Sequence, residues 1–92
     1  MPFDSFYKIL SKIQQFESLS KSMKDFTQMD ILLVQMSRVY KKISHLNLIY
    51  TYDKIFRLKS HLNRIETTCI HKCKTFHLNV TFVMKRLLQK DI

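Results

Sequence analysis

Three observations predict an all-α fold, a compact bundle of four to five helices with a long C-terminal helix. First, the chain of 92 residues contains no Gly, and its single Pro is Pro2. Tight hairpins and most turns with positive φ rely on Gly, so this composition argues against a β-rich fold and against a Gly-rich phosphate loop. Second, 46% of the residues are hydrophobic, enough for a core and too many for a disordered chain. Third, apolar residues recur at spacings of three and four along most of the chain. The length suits one domain, residues 1–92, and not two independent cores.

The elements follow in order. Phe3, Phe6, Leu10 and Ile13 mark one face of a first helix over residues 3–15. The stretch QFESLS breaks that pattern, and its serines offer N-caps for a second helix, which would bury Leu19, Met23, Phe26 and Leu33. ILLVQM, residues 31–36, is apolar nearly all round and is expected at the centre of the bundle. A short helix with Val39, Tyr40, Ile43 and Leu46 comes next, ending at Asn47. A fourth would bury Leu48, Ile49, Tyr52, Ile55 and Phe56, with Ser60 capping the helix after it. From Leu62 the stripe Ile65, Cys69, Cys73, Phe76, Val80, Val83 and Leu87 is close to a heptad seam. It predicts one helix from residue 61 to about residue 89.

Charge divides the chain. Residues 1–37 hold four Lys against Asp4, Glu17, Asp25 and Asp30 and are neutral. Residues 38–92 hold twelve Lys and Arg against Asp53, Glu66 and Asp91, which accounts for the net charge of +9. The clusters are Arg38, Lys41 and Lys42, then Lys54, Arg57 and Lys59, then Lys72 and Lys74 with Lys85 and Arg86. Any one cluster reads as a solvated face. The total implies an acidic partner: an acidic protein segment, or nucleic acid held through the basic half. A membrane surface is a third acidic partner that charge alone allows, but none is expected here; the N-terminus does not read as a signal peptide, and no apolar stretch approaches a membrane span. Two Cys do not make a disulfide framework.

No spacing supports catalysis. Cys69, Cys73 and His77 fall at i, i+4 and i+8 with His71 nearby, which is one way to present metal ligands. Both Cys also lie on the apolar stripe and no second ligand pair accompanies them, so buried thiols are the stronger reading and no metal is expected. His45 and His61 have no nucleophile or carboxylate beside them by spacing. Tyr40, Tyr50 and Tyr52 could stack bases, but their apolar spacing favours core positions. The chain therefore reads as a non-enzyme without a cofactor.

The residues also carry a family resemblance. FDSFYKILSKIQQFESLSKSMKDFTQMDILLVQMS, residues 3–37, and LIYTYDKIFRLK, residues 48–59, resemble the integrase-binding domain of the lens epithelium-derived growth factor family, which is related to transcription-elongation-factor N-terminal helical domains. The likeness rests on Phe3, Phe6 and Leu10, on VQMS, on Thr51, Lys54, Ile55, Arg57 and Lys59, and on Glu66 and Lys74. It implies a nuclear protein-binding module for transcription or chromatin tethering. Such a module docks short acidic, Phe-containing motifs through two interhelical loops. The implied site residues are Phe16 and Glu17 in the first loop and Leu58, Lys59 and Ser60 in the second, with Lys54 and Arg57 beside them. Glu17 would accept hydrogen bonds from partner amides, with an apolar rim holding the aromatic anchor. Glu17, Leu58 and Ser60 differ from the residues the family favours there. Residues 81–92 extend the last helix past the resemblance. Two other classes are carried alongside: a small basic nucleic-acid-binding protein, and a structural subunit pairing through the Leu62-to-Leu87 seam.

Overall fold

In the computed structural model, which describes residues 2–46 and 50–88, four helices account for nearly all of the described chain. They are α1 (Pro2–Ser22), α2 (Phe26–Leu46), α3 (Tyr52–Thr75) and α4 (Val80–Leu88), and no strand occurs among the described residues. The all-α expectation is met, but the long C-terminal helix is not present: the last helix has 9 residues.

The first helix runs past the serines expected to end it. Its buried face continues from Phe6, Leu10 and Ile13 through Phe16 and Ser20. Ser20 Oγ donates to the Glu17 carbonyl at 2.7 Å and Ser22 Oγ to the Leu19 carbonyl at 3.3 Å. The hydroxyls are thus satisfied within their own helix and cap nothing further along. The break falls at residues 23–25. Asp25 is the N-cap of α2, its Oδ1 accepting the Gln28 N–H at 2.9 Å. Gln28 Oε1 in turn accepts the Lys24 N–H at 2.6 Å, one residue before the N-cap, a variation on the capping box.

The expected second and third helices are one helix, α2, burying Met29, Leu32, Leu33, Met36, Val39, Tyr40 and Ile43. Leu19 and Phe26 are exposed rather than core, and so is Ile31 within ILLVQM. The expected fourth helix and the first part of the last one are likewise continuous as α3. Its buried stripe is Ile55, Leu58, Leu62, Ile65, Cys69 and Cys73. Tyr52 and Phe56 fall off that stripe and are exposed, against expectation. Ser60 lies inside α3 and caps nothing. Asn47, Leu48, Ile49, the Phe3 side chain and residues 89–92 lie outside the described residues.

The seam from Leu62 to Leu87 hides the end of α3. Leu78 N–H bonds the Cys73 carbonyl at 2.8 Å and His77 N–H bonds the Lys74 carbonyl at 3.3 Å. These are the two bonds of a Schellman motif, with His77 in the left-handed region at φ 57° where Gly is usual. Asn79 then caps α4, its Oδ1 accepting the Thr81 N–H at 3.0 Å. The chain turns back with its apolar residues still in phase, so Val83 and Leu87 join the same core as Cys69 and Cys73. Of the expected seam, Phe76 is half-buried and Val80 exposed at the turn, and the rest is buried within this chain and divided between two helices, so it is not one continuous outward seam.

The topology orders the surfaces. Phe6 meets Tyr50 at one end and Lys72 meets the end of α1 at the other, so α1 and α3 run parallel. Tyr40 meets Asn63 and Glu66 while Met29 meets Cys73, so α2 is antiparallel to α3. Phe26 packs on Phe82 at 5.0 Å and Arg86 Nε pairs with Asp30 Oδ1 at 2.8 Å, which fixes α4 along the first turns of α2. Helices α1 and α4 do not meet. The groove between α1 and α2 is therefore left uncovered by any other described helix.

Candidate functional site

The site residues implied by the resemblance lie in helix interiors, not in loops. Phe16 and Leu58 are fully buried core residues and line no docking rim. Helix periodicity puts both on the apolar stripes of α1 and α3. Glu17 is half-buried on α1, and its carboxylate faces Lys21 at 3.9 Å. Ser60 is half-buried in α3, while Lys59 and Arg57 are exposed. Lys54 is half-buried, its ammonium lying over the Phe6 and Tyr50 rings at 5.5 and 5.7 Å. No two-loop pocket is assembled by these residues.

The basic clusters disperse as well. Lys72 donates to the Lys21 and Met23 carbonyls at 2.9 and 3.1 Å, so it closes the C-terminus of α1. Arg86 is held by Asp30. Cys69 and Cys73 are buried free thiols, and His77 has left the helix face they share. Burial pushes the Cys69 thiol up to about 12 and raises that of Cys73, which makes them poor nucleophiles and poor metal ligands. Among the described residues no group of three or more His, Cys, Asp or Glu is placed to hold a metal ion.

What the fold does assemble is a groove between α1 and α2 with two chemically different ends. Because α1 and α2 are antiparallel, Lys8 and Lys12 face Arg38 and Lys42 across it. Ile9, Phe16 and Val39 form the floor of this basic end, whose volume is about 370 Å³. Lys12 Nζ stands 5.7 Å from the Phe16 ring centroid, anchored over the floor. Among the described residues no carboxylate lines this end or pairs with Lys8, Lys12, Arg38 or Lys42. Four cations facing one groove raise the local potential more than four scattered ones.

Gln35 links the basic end to an apolar one. There Leu19, Met23, Ile31 and Leu32 enclose a cleft of about 190 Å³ beside Ser22 and Gln28. An apolar cavity of about 150 Å³ holds a benzene ring, so the cleft accepts one aromatic or bulky aliphatic side chain. Leu19 and Ile31 are 51% and 55% exposed, an unusual cost for two large aliphatic residues side by side. Leu19 lies about 10–16 Å along α1 from Lys12 and Lys8, at the rise of about 1.5 Å per residue.

The groove was missed in the sequence because Lys8 and Lys12 sit in the charge-neutral half. The signal was present as two pairs at i and i+4, Lys8 with Lys12 and Arg38 with Lys42. Only the pairing of α1 with α2 brings them together. No family model matches the chain, and neither a curated protein nor a solved structure is significantly similar to it. No described helix is long and apolar enough to cross a membrane.

Proposed function

We propose that the protein is an interaction module whose α1–α2 groove docks an acidic protein segment carrying an aromatic or bulky aliphatic anchor. The observation that carries this reading is the joining of a four-cation end to an apolar cleft in one groove. The anchor fills the cleft between Leu19 and Ile31. Carboxylates on the same segment meet Lys8, Lys12, Arg38 and Lys42, giving charge-assisted bonds and fast, salt-sensitive association. Positions about 7–11 residues apart on a helical segment, or about 3–5 apart on an extended one, span the two ends.

The resemblance to the integrase-binding domain supplies the same class of occupant, an acidic Phe-containing motif. The nuclear, chromatin-tethering setting rests on that resemblance alone, and the site differs from the two loops it implied. An amide NMR titration with an acidic, Phe-containing peptide tests the reading. Saturable shifts are expected at Lys8, Lys12, Leu19, Ile31 and Arg38. The pair Arg38→Glu and Lys42→Glu should weaken binding at least tenfold, and Leu19→Ser with Ile31→Ser should do the same with the charges intact. Shifts confined to Glu17 and residues 58–60 would return the site to the positions the resemblance implied and overturn the groove.

A further inference from the structure

A second exposed apolar feature lies on the far flank of the molecule. Tyr52 and Phe56 stand one turn apart on α3, 79% and 59% exposed, with ring planes 23° apart and centroids 6.1 Å apart. They line a shallow surface of about 460 Å³ with Tyr50, Ile55 and Lys59. No core packing explains them, since the buried stripe of α3 passes through Ile55 and Leu58 instead. A helix start would be as stable with polar residues at both positions. Lys59 is the next member of the same face, three residues after Phe56 and seven after Tyr52.

Two exposed, near-parallel rings followed one turn on by a cation offer stacking surface to bases and a charge to a phosphate. Each base presents a π-face whatever its identity, and the phosphate requires only a mobile positive charge. Arg57 is exposed on the same turns and adds to the positive field, and Asp53 is the single carboxylate of this stretch. It lies about 100° round the helix from Tyr52 and about 60° from Phe56, at the edge of the platform. A purely apolar partner would leave Lys59 unpaired, and a second copy of this chain would bring another +9 against it. We infer that Tyr52, Phe56 and Lys59 form a base-stacking platform for single-stranded nucleic acid, separate from the α1–α2 groove.

The test uses the whole chain with fluorescein-labelled oligothymidylate and an abasic oligomer of equal length and charge. Both bind the basic surface through phosphates, and only the first has rings to stack. Oligothymidylate should bind at least tenfold tighter than the abasic strand. Tyr52→Ser with Phe56→Ser, two exposed positions, should remove that difference while leaving abasic binding and the circular dichroism spectrum unchanged. The Arg38→Glu and Lys42→Glu pair should weaken both strands alike and preserve their ratio, so failure here is distinct from failure of the groove. Equal affinity for the two strands, or a preference that survives the double serine variant, overturns the platform. Loss of acidic-peptide binding in the serine variant, with no base preference in the parent, assigns the rings to a protein contact and overturns it as well.

Discussion

Tyr40 is the residue at which the core and the polar surface meet. Its ring is buried on α2, and its hydroxyl donates to the Glu66 carboxylate and reaches Asn63 at 3.5 Å on α3. Burial, then the neighbouring Glu66, holds the phenol well above its ordinary range. Tyr40→Phe leaves the half-buried Glu66 without this donor, and we expect a loss of about 1–2 kcal/mol in urea unfolding. Cys69 behaves in the same sense. Its thiol titrates from 9.0 in the unfolded chain to about 12 in the folded one, chiefly because it is buried. A raised folded value means the contribution is complete below the unfolded pKa and is lost as pH climbs through the folded one. Stability should therefore fall between about pH 9 and pH 12, more steeply than in Cys69→Ala, when denaturant midpoints of the two are compared across that range.

At the scale of elements, the sequence was informative about faces and poor at ends. The buried stripes of α1 and α3 were readable from Phe6, Leu10, Ile13, Leu62, Ile65, Cys69 and Cys73. The ends were not, because serines that resemble caps bond inside α1, and because DFTQ, residues 25–28, carries the cap of α2 without a break in the apolar pattern. The reversal between α3 and α4 was the hardest to see. Gly is the usual signal there, and His77 takes its place in the left-handed region. His77→Gly should remove the strain of a side chain at φ 57° and raise stability by about 0.5–1 kcal/mol, measured as a higher melting temperature. The site was less legible than the fold: two i, i+4 cation pairs were visible, but their meeting across a groove depends on which helices pack together.

Over the whole molecule, the charge has a different distribution in space from the one along the chain. The +9 lies in residues 38–92 by count, yet the groove's four cations, with no carboxylate among the described residues beside them, draw Lys8 and Lys12 from the neutral half. The cations that the count emphasises are partly engaged, Arg86 by Asp30 and Lys72 by carbonyls. Peptide binding in the groove should thus weaken with salt, and the slope of log affinity against log salt should flatten when Arg38 and Lys42 become Glu. Replacing Lys85 and Lys74, which line neither end of the groove, should leave the slope unchanged. Isothermal titration at several ionic strengths reads both outcomes.

The reach of Lys72 to the Lys21 and Met23 carbonyls, 51 and 49 residues earlier in the chain, also fixes an order of assembly. Because α1 lies parallel to α3, the Lys72 bonds to the end of α1 form only after α2 has folded back and α3 has grown along α1. Closing so distant a contact comes late and its loss comes early. The tail of α1 becomes a separate opening unit within an otherwise cooperative fold. In hydrogen exchange, Lys72→Met should speed the Met23 amide, which is bonded to the Leu19 carbonyl, while Leu33 at the centre of α2 keeps the protection of global unfolding. Met23 and Leu19 are also walls of the apolar cleft, so the mouth of the groove would breathe on a timescale set from the opposite side of the bundle.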